Sequence, residues 1–321
     1  VRAAGQKEDG FEMLKSGAIF VTFRPTNEQV AAIAATARLF DAVIVVDNSP
    51  APDAALRHRF SLPNVQFLEN ANRGGIAGAF NRGVEALLAS GIDRVYFFDQ
   101  DSAVPADYRQ LMDEALDGAP EACMIGPKIY DINLRAFSPR YLVSRWTYRA
   151  DPIPESANAL IPCSFLISSG SVATRAALTV CGPFREDYFI DDVDTEYCLR
   201  AAQLGVGVFI NPRAVLNHAI GEREEHRFLG VRIRPSHHGA LRRYYRCRNG
   251  ISLSLRHARH SPAFLIHNQK RLAHEIIGVL LYERRKWKKL TAIGVGIIHG
   301  VMSRLGDLRE IAPRFHQWLV G

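Results

Sequence analysis

Strand-length apolar runs that alternate with helical patterns constrain this chain before anything else. The runs are AIFVTF (Ala18 to Phe23), AVIVVD (Ala42 to Asp47), VQFLEN (Val65 to Asn70) and RVYFFD (Arg94 to Asp99). Between them lie NEQVAAIAATARLF and IAGAFNRGVEALLAS, both with helical spacing. Strand, helix, strand, then helix, strand predicts an α/β fold on a mostly parallel, Rossmann-like sheet with flanking crossover helices. Ligands of such sheets sit beyond the carboxyl ends of the strands, where Thr22, Asp47, Asn70, Asp99 and Asp101 fall.

The stretch VYFFDQDS, Val95 to Ser102, runs an apolar strand straight into two acids one residue apart. Burying either carboxylate alone costs several kcal/mol or shifts its pKa until it neutralises, so a positive partner is expected. Extended backbone turns Asp99 and Asp101 to one side, where they could share a divalent cation that bridges phosphate oxygens. The plainer alternative is a turn in which Asp101 or Ser102 caps the helix begun in VPADYRQLMDEAL. The pattern also resembles the nucleophile motif of haloacid dehalogenase-type phosphatases, whose first acid is phosphorylated. Those enzymes carry it on the first strand of the domain, whereas two or three strands precede it here.

NANRGGIAGAFNRG places Asn72, Arg73, Gly74 and Gly75 before a helix whose apolar stripe is Ile76, Ala79, Phe80, Val84 and Leu87. Glycines at a helix start let backbone amides approach an anion, although a tight turn has the same composition. In IDDVDTEYCLRAAQ a helix is expected from near Asp192. Glu196 shares a stripe with Arg200 and Gln203, which points it to solvent or to that arginine. Asp194 shares a stripe with Cys198 and Ala201, so it should face inward, as a general base or as a partner of the helix dipole. Asp191 and Asp192 are candidate caps or acceptor contacts. His218 follows GVGVFINPRAVLNH, expected to be a last strand pair, and is a candidate metal or phosphate ligand or a member of a hydrogen-bond network.

Between Met124 and Ser171 the pattern loosens into short strands and Pro-rich loops, expected to close over a substrate rather than continue the sheet. The five cysteines form no C-x-x-C pair, which suggests neither a disulfide framework nor a zinc site and fits a reducing cytosol. VRAAGQKEDGFEMLKSG carries acids and no apolar core, unlike a signal peptide. The uncharged stretch Leu290 to Ser303 is 14 residues, short of the roughly 20 that span a bilayer. Charge is uneven: Glu222 to Lys289 holds 17 Lys or Arg against 5 Asp or Glu, in a chain whose net charge is +7. That tail, with RRYYRCRNG and LLYERRKWKKLTAIGVGIIHGV, reads either as an interfacial helix on anionic lipid or as a packed helix pair with a basic edge. A subunit contact is a further use of its apolar residues. No module for nucleic acid is recognised.

Taken in order, VTFRP, VVDNS, NANRGGIAGAFNRG, FFDQDS, FLISSGSVATRAAL, YFIDDVDTEYCLR and RRYYRCRNGI resemble the family-2 inverting glycosyltransferases of the GT-A fold. Within that family the wording is similar to bacterial dTDP-rhamnose-dependent rhamnosyltransferases. The resemblance runs from about residue 18 to 251. It implies that Thr22 and Arg24 line a nucleotide pocket, that Asp47 reads the pyrimidine, and that Asn72, Arg73 and Gly75 hold nucleotide and diphosphate. Asp101 would be the main ligand of Mg²⁺ or Mn²⁺, Asp99 would contact ribose or metal, His218 would be a further ligand and Asp194 the base. Arg24 departs from the family, which commonly has a smaller polar residue there.

The implied activity is transfer of L-rhamnose from dTDP-rhamnose, with inversion, to a glycan or lipid-linked acceptor in bacterial cell-surface polysaccharide synthesis. A galactofuranosyl or other UDP-hexose transferase of the same family is the alternative. A dehalogenase-type phosphatase and a non-catalytic nucleotide-sugar binder stand outside it. The expected organisation is a catalytic domain over 1–220, its nucleotide-sugar part about 16–102 and its acceptor part about 103–220, followed by a basic, mainly helical extension over 221–321. The expected location is the cytoplasm, on the inner face of the plasma membrane.

Overall fold

A computed structural model of the chain describes residues 14–51, 54–218, 226–228, 231–233 and 237–321. Most of the segment read against a signal peptide, and the first residues of the basic run, lie outside them. The first half alternates as expected: β1 (Ser16–Thr22), α1 (Asn27–Ala37), β2 (Ala42–Asp47), α2 (Ala54–Arg59), β3 (Val65–Glu69), α3 (Gly75–Ala89), β4 (Arg94–Asp99) and α4 (Tyr108–Asp117). Next come β5 (Cys123–Asp131), β6 (Ala136–Phe137), β7 (Arg140–Val143), β8 (Tyr148–Asp151), β9 (Ile161–Pro162), β10 (Val172–Thr174), α5 (Arg175–Cys181), α6 (Val193–Gln203) and β11 (Gly207–His218). A small hairpin, β12 (His226–Phe228) and β13 (Val231–Ile233), precedes α7 (Ala240–His257), α8 (Pro262–Tyr282), α9 (Lys286–Val301), α10 (Leu308–Ile311) and α11 (Pro313–Val320).

The main sheet runs β3-β2-β1-β4-β10-β5-β11-β9, with β6 attached to β5. Pairings among β1 to β4 and between β5 and β11 are parallel, while β10 lies antiparallel between β4 and β5. Side-chain alternation divides the core. Val95 and Phe97 of β4 join Phe80 and Leu87 of α3 on one face, while Tyr96 and Phe98 join Val30, Ile33, Tyr108 and Met112 on the other. Both faces are covered, so the strands read as unbroken apolar runs instead of alternating ones.

Three expectations are corrected. The first part of the segment from Met124 departs from expectation: β5 is a nine-residue interior strand of the sheet, with Gly126 and Pro127 inside it, whereas β7 and β8 form a short two-stranded sheet of their own, as the loosened pattern predicts. Gly126 packs closely against Leu166, where a Cβ would come 2.5 Å from Leu166 Cδ2. GVGVFINPRAVLNH is one strand with a register shift between Asn211 and Val215, not a pair. The segment LLYERRKWKKL is not one helix, because α8 and α9 are broken at buried Glu283, which binds Arg243 and, at 2.6 Å, Lys289. All five cysteines are free and buried. Among the described residues no helix is long and apolar enough to cross a membrane.

Candidate active site

Strand ends β1, β2 and β4 and the start of α3 meet at one cleft of about 1130 Å³. Thr22, Asn72, Gly75, Asp99, Asp101 and His218 all line it, so six of the residues singled out from sequence come together. Asp47 lies just behind. Fully buried, its Oδ1 accepts from Thr22 Oγ1 at 2.9 Å and Ser49 Oγ at 2.8 Å, which ties the ends of two adjacent strands. Arg24 and Arg73 do not line the cleft; both side chains are exposed, and Arg73 Nε donates to the Asn70 carbonyl at 3.3 Å. Asn48 and Gln100 line it without having been singled out. Asn48 Nδ2 donates to the Gly75 carbonyl at 3.1 Å and its Oδ1 accepts from Asn70 Nδ2 at 2.7 Å, so paired asparagines fix the glycine loop.

The α3 start does not offer bare amides at Gly75 and Ile76. Their N–H groups donate to the carbonyls of Asn72 at 3.3 Å and Phe189 at 2.9 Å. Gly75 has φ +61°, and a Cβ there would come 2.0 Å from the Phe189 carbonyl oxygen. This glycine therefore joins the glycine loop to the acidic segment that leads into α6.

That segment is held in an unfavourable backbone state. Phe189, Asp191 and Asp192 all have positive φ, at 65°, 61° and 58°, which costs roughly 1 kcal/mol or more apiece for non-glycine residues. The restraint comes from α7. Asn249 Nδ2 donates to the carbonyls of Tyr188, Ile190 and Asp191 at 2.8–2.9 Å, and Arg248 donates to those of Asp187 at 2.9 Å and Tyr188 at 3.0 Å. Arg248 and Arg243 are fully buried. These members of RRYYRCRNG therefore face the protein interior, contrary to a lipid-facing reading.

Asp194, in the first turn of α6, opens onto a second cavity of about 640 Å³ with Asp192, Asp131 and the aromatic rings of Tyr148, Phe165 and Phe264. Cys198 and Ala201 on its stripe are buried as spacing predicts. Burial pushes its carboxyl up to about 6; a hydrogen bond from the Thr195 amide opposes the rise, and Asp192, Asp191 and Asp99 add to it. Burial also raises Asp99, with Asp101 adding to the rise while His218 and Arg242 offset it. Neither Asp101 nor Ser102 caps α4, whose N-cap is Asp107; Ser102 Oγ instead accepts from the Asp99 amide at 3.1 Å. Glu196 is 3% exposed, so the solvent alternative fails and the arginine alternative holds. Arg200 grips it at 3.0–3.1 Å and caps the Pro183 carbonyl at 2.9 Å.

His267 and Arg271 of α8 line both cavities, so one helix of the C-terminal extension forms their common wall. Arg271 reaches Asp192 at 3.5 Å. It fits because α7 has Gly250 there; a Cβ would come 2.7 Å from Arg271 Nη2. Sequence reasoning missed this wall. The available signal was RRYYRCRNG, four arginines interleaved with aromatic residues and ending in Gly250.

Residues 23–178 match the family Glycosyl transferase family 2, and the chain carries a glycosyltransferase domain of that family. Over 238 residues it is 29% identical to the dTDP-rhamnosyl transferase RfbF of Shigella flexneri, covering 74% of this chain and 78% of that one. Its fold is similar to crystallised GalNAc-T7 with UDP, GalNAc and Mn²⁺, with TM-score 0.55 and 13% identity over 76% of this chain. The chain spans 48% of that structure's length. It is also similar to TarS 1–349 of S. aureus, with TM-score 0.51 and 14% identity over 91% of this chain and 82% of the other. At these identities the structural likeness is one of fold, a GT-A-like α/β sheet. The family match, together with a D-x-D that closes the fourth strand, removes the phosphatase alternative.

Proposed function

We propose that the chain transfers L-rhamnose from dTDP-rhamnose, with inversion, to a hydroxyl of a glycan or lipid-linked acceptor in cell-surface polysaccharide synthesis. One observation carries the reading: Asp99 and Asp101 line one cavity, Asp194 lines the other, and the two share the wall formed by His267 and Arg271. The identity to a dTDP-rhamnosyl transferase supports the choice of donor. On this reading, about 16–102 binds the donor, about 103–220 binds the acceptor, and the helices of the extension close both cavities.

Asp194 accepts the proton of the acceptor hydroxyl, whose oxygen bonds to the anomeric carbon as the bond to the diphosphate oxygen breaks. The electron pair departs with the diphosphate. A carboxyl at about 6 is ionised near neutral pH yet basic enough to take that proton. Thr22, Asn72 and Gly75 orient the nucleotide, and Asp47 fixes Thr22. Aromatic rings around the second cavity offer faces to a sugar ring and exclude water.

A divalent cation fits the strand-end acids, since burial and Asp101 together disfavour an isolated charge on Asp99. Asp101, Asp99 and His218 would hold Mg²⁺ or Mn²⁺, which when bound neutralises the diphosphate. Among the described residues no three His, Cys, Asp or Glu form a closed ligand group.

Membrane contact, and with it a cytoplasmic position on the inner leaflet, belongs to the same proposal. Gly296 and Gly300 of α9 lie against α7, where a Cβ would meet the carbonyls of Tyr244 at 2.7 Å and Arg248 at 2.6 Å. The small-residue half of the apolar run is thus a packing seam. Trp287 and Ile298 remain exposed on the outer face of α9 beside Arg284, Arg285 and Lys286, which supports an anionic lipid surface as partner. Titrating dTDP-rhamnose, UDP-galactofuranose, UDP-glucose and UDP-galactose against the chain tests the donor. The expected result is binding of dTDP-rhamnose ahead of the others. Preference for a UDP-hexose overturns the rhamnosyl assignment.

A further inference from the structure

The basic tail contributes Arg242, Arg246, Lys270 and Arg271 to the donor-side cleft, the one lined by Asp99 and Asp101. Three of these cations have carboxylate partners: Arg242 with Asp191 at 3.1 Å, Arg246 with Glu275, and Arg271 with Asp192 at 3.5 Å. Lys270 is exposed and has no carboxylate partner among the described residues. Arg242 keeps half of its side chain exposed although paired.

The positive field of this wall registers on its neighbours. His238, in the same cleft, is pushed down to about 4, first by burial and then by Arg242 and Arg246. Arg242 and Lys270 line the same cleft as the strand-end acids Asp99 and Asp101. A nucleoside diphosphate with one divalent cation bound still carries net negative charge, and a surplus ammonium in the same cleft answers it. Lysine suits this role as a mobile point charge on a flexible stem.

We propose that Lys270 and Arg242, on α8 and α7, form a second diphosphate-binding element that holds the nucleoside diphosphate without the divalent cation. This rests on the glycosyl-transfer reading, because it assigns the leaving group of that reaction to the C-terminal helices. The strand-end acids and the helical wall then grip the diphosphate from two elements, one through metal and one directly.

The test is calorimetric titration of dTDP into the full chain, once with Mg²⁺ and once with excess EDTA. Wild type, Lys270→Ala, Arg242→Ala and the exposed control Arg259→Ala are compared. Wild type is expected to bind dTDP in EDTA, with affinity roughly tenfold lower in Lys270→Ala and unchanged in Arg259→Ala, the size of one lost charged hydrogen bond. Unaltered dTDP affinity in Lys270→Ala overturns the proposal, as does an equal loss in Arg259→Ala. Binding by wild type in Mg²⁺ alone overturns it while leaving glycosyl transfer intact. No dTDP binding in either medium overturns the glycosyl-transfer reading itself.

Discussion

Replacing Asp194 by Asn should weaken the reaction and strengthen the fold, and both effects follow from one displaced pKa. The carboxyl rises from 3.8 to about 6 in the folded chain. Each unit is worth about 1.4 kcal/mol, so holding the ionised form in place costs up to about 3 kcal/mol above pH 6. Water in the adjoining cavity reduces that to about 1–3 kcal/mol. A raised folded pKa means that the unfolded chain ionises first, so this residue lowers stability as pH climbs from 3.8 through about 6. Asn keeps an oxygen for the Thr195 amide, now accepted at 2.7 Å, and carries no charge. Urea denaturation near pH 8 should therefore show Asp194→Asn more stable by about 1–3 kcal/mol, with the gain fading toward pH 4. Rhamnosyl transfer should fall by about 10²–10⁴-fold with dTDP affinity unchanged. Wild-type turnover, or a gain independent of pH, refutes the reasoning.

Other expectations concern backbone contacts and surface. Gly75→Ala places a Cβ 2.0 Å from the Phe189 carbonyl at φ +61°, and thermal melting should report a loss of about 2 kcal/mol or more. Gly250→Ala, whose Cβ would come 2.7 Å from Arg271 Nη2, should displace that guanidinium from Asp192. Steady-state kinetics should then show kcat/KM reduced about tenfold or more, with unchanged activity as the contrary result. Flotation with anionic vesicles should carry the full chain, and Trp287→Ala should reduce the bound fraction; no flotation with or without anionic lipid removes the membrane contact.

The donor half of the site was legible because it lies where strands end. Apolar runs fixed β2 and β4 to the residue; Asp99, which closes β4, lines the cleft, and Asp47, which closes β2, lies just behind it. Spacing on α6 turned Asp194 inward for the same local reason: a helix has one period. Spacing could not decide between the two fates of Glu196, because its burial depends on the carbonyls of Cys181 and Pro183, which also receive Arg200. Strand β5 was missed because Gly126 and Pro127 interrupt its apolar run; Gly126 is accommodated by close packing against Leu166. The larger gap is α7 and α8. A run of cations on helices reads as a solvated or lipid-facing edge, and only tertiary packing turns Arg248 onto the carbonyls before α6 and Arg271 into the wall between cavities.

The central claim places the departing diphosphate at the end of β4, within reach of its two acids and of α8. A crystal of the full chain grown with dTDP and Mn²⁺, measured at the manganese absorption edge, tests it most directly. The account predicts an anomalous peak beside Asp101 and Asp99 with the diphosphate in contact with it. Diphosphate density away from the end of β4, or manganese bound elsewhere in the chain, contradicts it.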